Sequence, residues 1–189
     1  MGRGENMEKK IEEYKFIVPS IQDEDYSTAY LLGNINWLLM HSKSHREMPL
    51  LMMPTQIFPA ITNKQFVLAM SEQGSPVFYM AWANFTAEDE AKYIENTNTA
   101  LTMDNWNKGD RPWILFWVAP FGHSQVMSTW VKDHLFLDSP EVRFLYHSGQ
   151  ERGARIISKR GKNIVPEEGA VWREAHPISA DLPIYLPRD

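Results

Sequence analysis

The chain has 189 residues, a net charge of −5 and no cysteine. It therefore has no disulfide framework, no thiol nucleophile and no cysteine-ligated zinc, and its acidic balance argues against nucleic acid, whose phosphates want a basic face. Hydrophobic residues make up 43%, with seven Trp, nine Phe, seven Tyr and ten Met, enough for one sizeable core.

Residues Met1 to Lys15 are charged and polar, with no apolar leader segment. No run of eighteen apolar residues occurs, so no membrane-spanning segment is expected. A reducing cytoplasm is the default compartment for a chain without cysteine. The first 25 residues read as an extension, with a short helix over Glu8 to Tyr14. From Tyr26 to Met40 the apolar residues Tyr30, Leu31, Ile35, Leu38 and Leu39 recur at helical spacing. Asp25 or Ser27 is the expected cap, and Pro49 sets the limit of the helix.

Three strand-like runs follow, Leu50 to Ile57, Phe66 to Met70 and Val77 to Ala83, with turns at Asn63 and Gly74-Ser75-Pro76. Thr86-Ala87-Glu88-Asp89 resembles a capping box opening a helix to about Glu95. A polar stretch with a turn at Lys108-Gly109-Asp110 leads to an apolar strand, Trp113 to Ala119. Ser124 to His134 reads as a helix, and Val142 to His147 and Ala154 to Lys159 as strands separated by Ser148-Gly149-Gln150. Beyond Gly161, four prolines predict an extended tail. The order predicts a single α/β or α+β domain over 26–160, a central mixed sheet flanked by helices, with an extension at 1–25 and a proline-containing tail at 161–189.

Histidines are few enough to weigh singly. His45 follows an apolar helix and precedes Pro49, where a loop places it at a surface or cleft; a solvated loop histidine is the plain alternative. His41 and His45 share a helical spacing, but no third ligand supports a metal site. His123 follows Pro120-Phe121-Gly122 at a strand-to-helix turn, where α/β enzymes place functional groups and where a capping histidine is equally at home. No nucleophile elbow, Walker loop or dinucleotide fingerprint occurs, and no pyrophosphate loop of the coenzyme-A acetyltransferases. Trp82, Phe85 and Trp106 stand in or beside turns, as groove-lining or core residues.

Read as an ordered string, the short motifs say more. They are Gly33-Asn34-Ile35-Asn36-Trp37-Leu38, Ser44-His45-Arg46-Glu47-Met48-Pro49 and Phe58-Pro59-Ala60-Ile61. Then come Gln65-Phe66, Pro76-Val77, Trp82-Ala83-Asn84 and Glu90-Ala91-Lys92-Tyr93. Gly109-Asp110-Arg111 and Trp117-Val118-Ala119-Pro120-Phe121-Gly122 complete the series. From about Leu32 to Lys132 this resembles the hemolysin-type lysine acyltransferases that activate RTX toxins.

The resemblance implies a GNAT-like fold. It also implies transfer of a fatty acyl group from acyl carrier protein to lysine amines of a protein or peptide. No bound cofactor is implied; the acyl-acyl carrier protein is a cosubstrate. The family's histidine falls on His45, and its catalytic aspartate falls on Phe116, a phenyl ring in this chain. His123 and Asp110 are the nearest replacements in sequence, and Arg46, Trp82, Asn84, Arg111, Trp113 and Phe116 are the expected substrate-binding residues. A homodimer is left open. The alternative is an inactive relative serving as a binding or chaperone subunit for a secreted partner, an idea that Phe116 supports.

Overall fold

The computed structural model describes residues 11–96, 103–146, 155–178 and 184–185. The chain groups into two compact units. One comprises Met1–Ala81 and Phe116–Val131, the other Trp82–Leu115 and Lys132–Asp189. Seven strands form one mixed sheet in the order β1 to β7. They are β1 (Tyr14–Ile17), β2 (Phe66–Ser71), β3 (Pro76–Phe85), β4 (Arg111–Val118), β5 (Val142–Leu145), β6 (Ile156–Lys159) and β7 (Ile184–Tyr185). This is the α/β class expected from the sequence. Among the described residues, no helix is long and apolar enough to cross a membrane.

In the first unit, helix α1 (Thr28–His41) starts at Ser27, whose hydroxyl accepts from the Tyr30 N–H. Leu31, Ile35, Leu38 and Leu39 are its buried face, as the spacing predicts, whereas Tyr30 and Trp37 are exposed. The Leu50–Ile57 run is not a strand. It forms a 3-10 turn at Leu50–Met52 and the short helix α2 (Met53–Gln56), followed by α3 (Phe58–Thr62). The reason is local. Pro54 and Pro59 sit in the first turns of α2 and α3, where a missing N–H costs nothing, while a strand interior would lose ladder bonds. The buried residues Met53, Gln56, Ile57 and Ala60 follow helical rather than alternate spacing, and Leu50 and Leu51 face solvent.

The N-terminal stretch also departs from expectation. Tyr14–Ile17 pairs antiparallel with β2 as an edge strand. The Gln22 side chain accepts from the Val18 N–H and donates to the Phe16 carbonyl, closing part of that open edge. β2 and β3 pair antiparallel through a hairpin, with a bulge at Ala69/Met70.

In the second unit, Thr86 caps helix α4 (Ala87–Glu95), its hydroxyl accepting from the Asp89 N–H. Gly109 is forced by space. A Cβ there would fall 1.9 Å from the Phe85 carbonyl oxygen, and the Gly109 N–H donates to the Asn84 carbonyl. β4 pairs parallel with β5 at Trp113–Arg143 and Ile114–Phe144, and β5 pairs antiparallel with β6. Among the described residues after Gly161, Pro166–Ala175 is helical where an extended tail was expected. Helix α6 (Pro166–Ala175) uses Pro166 at its first turn, and β7 lies parallel to β6. The turn expected at Ser148-Gly149-Gln150 lies outside the described residues. Helix α5 (Ser124–His134) matches its prediction.

The polar centre of the second unit is Glu90. Its carboxylate, almost fully buried, accepts from the Arg111 and Arg143 guanidiniums and from the Trp113 indole N–H. Arg143 also donates to Glu141, and Glu141 accepts from Arg173 of α6. Arg111 and Arg143 donate to the carbonyls of Pro177 and His176 just beyond α6. Removing one partner of such a group leaves buried charge uncompensated. Glu90→Ala should therefore cost about 3–5 kcal/mol and lower Tm by many degrees, while Glu88→Ala, at an exposed pair on the same helix, should change stability by less than about 0.5 kcal/mol. Equal denaturation midpoints for the two variants would refute the central role of Glu90.

Candidate functional site

The turn after α1 places His45. The helix stops because Ser42 takes an extended conformation, with its N–H still bonded to the Leu39 carbonyl. The Ser42 carbonyl then accepts from both the His45 and Arg46 N–H groups, and the His45 carbonyl accepts from Met48. The backbone is thus wound about Ser42. The Ser42 hydroxyl also lies 2.8 Å from His45 Nδ1. In the tautomer with Nδ1–H donating to that hydroxyl, Nε2 is the basic nitrogen. Ser42 therefore orients the ring through Nδ1 without adding charge, and its hydroxyl can serve either tautomer as acceptor or donor.

Phe116, on the part of β4 in the same unit, lies against His45 with ring centroids 5.8 Å apart and planes at 36°. Its other face partner is Tyr79 of β3, at 6.0 Å. Phe116 is nearly buried, so this side of His45 is apolar. Arg46 is exposed and pairs loosely with Glu47 at 4.0 Å.

His123 is in the same unit, at the start of α5, after Gly122 with φ +87°, a left-handed conformation that suits glycine. Its ring contacts Tyr14 of β1 edge-on at 5.7 Å. Its Nδ1 is buried without a hydrogen-bond partner among the described residues, and desolvation lowers its pKa. The described contacts of His123 are with β1, and those of Phe116 are with His45 and Tyr79.

The remaining sequence candidates lie in the second unit, with structural partners. Arg111 is buried against Glu90. Trp113 is fully buried, donates to Glu90 and packs edge-on against Tyr93 at 5.5 Å. Trp82 packs against Phe136 at 5.5 Å. Asn84 donates to the Asn107 side chain, and its carbonyl accepts from Gly109. Sequence reasoning missed Ser42, Tyr79 and Glu90. Ser42 had a signal, a hydroxyl residue three positions before the histidine in a turn. Glu90 opens the Glu90-Ala91-Lys92-Tyr93 motif, which marks the position without giving its role, and Tyr79 had no signal that separates it from core residues.

The arrangement on the first unit can hold a neutral imidazole beside an apolar floor and accept a proton. The comparisons with known proteins fit that chemistry. The family described as HlyC, the RTX toxin acyltransferase family, matches residues 24–159. The RTX-II toxin-activating lysine-acyltransferase ApxIIC of Actinobacillus pleuropneumoniae is 37% identical over 132 residues, covering 70% of this chain and 81% of that protein. The protein-lysine myristoyltransferase RtxC of Kingella kingae is 36% identical over 133 residues, covering 70% and 77%. The leukotoxin-activating lysine-acyltransferase LktC, serotype T3, of Mannheimia haemolytica is 46% identical over 97 residues, so the match spans 51% of this chain and 57% of that protein. With its mixed sheet, its matched span and relatives named as lysine acyltransferases, this chain belongs to the RTX toxin acyltransferase family.

Proposed function

We propose that this protein transfers a fatty acyl group from acyl carrier protein to a lysine ε-amine of an RTX protoxin, with His45 as the proton acceptor. The observation that supports this reading most is the Ser42–His45 hydrogen bond beside Phe116. A lysine side chain, an ammonium with a pKa near 10.4, attacks a thioester only as the neutral amine, so its first proton goes to solvent before the reaction. In this reading the amine nitrogen bonds to the thioester carbonyl carbon while His45 Nε2 takes its proton. The C–S bond then breaks, and the imidazolium returns the proton to the departing thiolate. Ser42 orients the imidazole and accepts from Nδ1–H in the tautomer that the step uses. Phe116 excludes water from one face of the ring and supplies no charge to stabilise the imidazolium, so turnover is expected to be modest.

The carrier protein is acidic, and Lys43 and Arg46 bracket His45 on its exposed turn. Lys108 is exposed as well, whereas Arg111 is committed to Glu90. An apolar residue at 116 also supports a second reading, an inactive relative that binds a secreted partner without modifying it.

Three outcomes test these proposals. His45→Ala should lose at least about a hundredfold in turnover, and Ser42→Ala about tenfold, with Tm within a few degrees of wild type. Intact-mass measurement of co-expressed protoxin gives the first number directly, and near-normal acylation by His45→Ala would eliminate the base assignment. With acyl-acyl carrier protein as donor, kcat/KM should fall as salt rises from 50 to 500 mM, roughly as expected for two exposed cations. An acyl-coenzyme A donor of equal efficiency and no salt dependence would reject the carrier protein. Finally, Phe116→Asp should lower Tm, because a buried carboxylate costs several kcal/mol until the imidazole meets it. If wild type is active, His45 suffices without the aspartate; if only Phe116→Asp is active, the inactive-relative reading replaces the first.

A further inference from the structure

β3 has one side chain that packing alone does not explain. Tyr79 is fully buried, and its hydroxyl has no hydrogen-bond partner among the described residues. A buried O–H without a partner costs about 1–3 kcal/mol. Phenylalanine would fill the same space without that cost. The flanking Phe78 and Met80 are fully buried and have no such group. Burial raises the Tyr79 pKa, so the oxygen keeps its proton at any working pH and can act only as a neutral donor or acceptor.

The position is what gives the hydroxyl interest. Tyr79 touches Phe116, and Phe116 touches His45, so the orphaned donor is one aromatic ring away from the candidate base. All three belong to the same compact unit. A group that is costly in the resting protein and adjacent to a candidate site finds its partner in the working complex.

We propose that the Tyr79 hydroxyl is a hydrogen-bond donor to the thioester carbonyl oxygen of the bound acyl donor. The proposal rests on the acyl-transfer reading and deepens it. As the amine nitrogen attacks, negative charge builds on that oxygen, and a donor in a dry site stabilises it far more than water would. Phe116 touches both His45 and Tyr79, so it stands between the proton acceptor and the donor of this reading. The tyrosine gives no proton away. It holds the oxygen while His45 moves the proton from amine to thiolate.

Tyr79→Phe keeps the ring and removes only the hydroxyl. Turnover with acyl-acyl carrier protein should fall about a hundredfold to a thousandfold. KM for the donor should stay within about threefold, because the bond strengthens only as charge develops. Tm should be equal to or above wild type, since an unsatisfied group has gone. The carbonyl stretch of a 13C-labelled acyl thioester bound to the protein should lie at lower frequency in wild type than in Tyr79→Phe. Wild-type turnover judges the acyl-transfer reading on its own, while the carbonyl band judges Tyr79 whether or not an amide forms. Identical carbonyl bands in the two proteins would overturn the proposal, as would unchanged turnover in the variant.

Discussion

One carboxylate organises the second unit. Glu90 accepts from two guanidiniums and an indole, and the same guanidiniums reach the backbone beyond α6. Burying three charges is expensive, and the cost is met only when every lone pair and N–H has a partner. That condition is close to fulfilled here. It fixes α4, the start of β4, β5 and the exit of α6 to one another with the directionality of hydrogen bonds, which apolar packing lacks. Around it the indole of Trp172 stacks on His176 at 4.0 Å, and Arg143 lies over the Trp172 ring. His176 in turn lies 2.9 Å from Asp110, whose pKa is lowered chiefly by that hydrogen bond. The turn around Gly109 is thereby held from both sides, by space at Phe85 and by the hydrogen bond to His176.

The first unit is built on the opposite principle. Its candidate base sits on a short turn with one hydroxyl partner and an apolar floor. A carboxylate beside an imidazole supplies orientation and charge together. Beside His45 the Ser42 hydroxyl supplies orientation, and the phenyl ring of Phe116 supplies contact without charge.

Much of this was legible in the sequence, and the failures have physical reasons. α1, α4 and α5 were readable because each has a periodic apolar face or a side-chain cap. The Leu50–Ile57 run misled because apolar residues are dense there, and only Pro54 and Pro59, read as first-turn prolines, point to helix. The C-terminal segment misled for the same reason, since Pro166 starts α6 and does not end one. β1 was hidden because four residues with one charge make a weak strand signal, supplied in the end by pairing with β2. Among site residues, His45 and Phe116 were found as sequence neighbours of motifs and proved to be ring neighbours in space. Arg111 and Trp113 belong to the same motif-rich stretch, but their polar atoms are turned to Glu90. A motif records which residues a fold requires. It does not separate those that hold the scaffold from those that meet a substrate.

Satisfaction of polar atoms bears on that separation. The Glu90 cluster finds its partners and has the character of finished structure. Buried polar atoms without a partner among the described residues occur in both units, at Trp106 and Ser158 in the second and at Gln65, Tyr79 and His123 in the first, and of these Tyr79 shares a ring contact with the neighbour of His45. Unsatisfied groups cost stability, so a protein keeps them where something else gains. His123 has a lesser claim, because its ring is only partly buried and its contact is with β1 at the sheet edge. Tyr79 is fully buried and shares its neighbour Phe116 with His45, and it differs from the phenylalanine that would pack equally well by a single oxygen. Phe116 gives the side of His45 that it covers a phenyl ring and no charge of its own. The neutral polar groups nearest that ring pair are the Ser42 hydroxyl, hydrogen-bonded to the imidazole, and the Tyr79 hydroxyl, proposed above to meet the oxygen that a substrate brings.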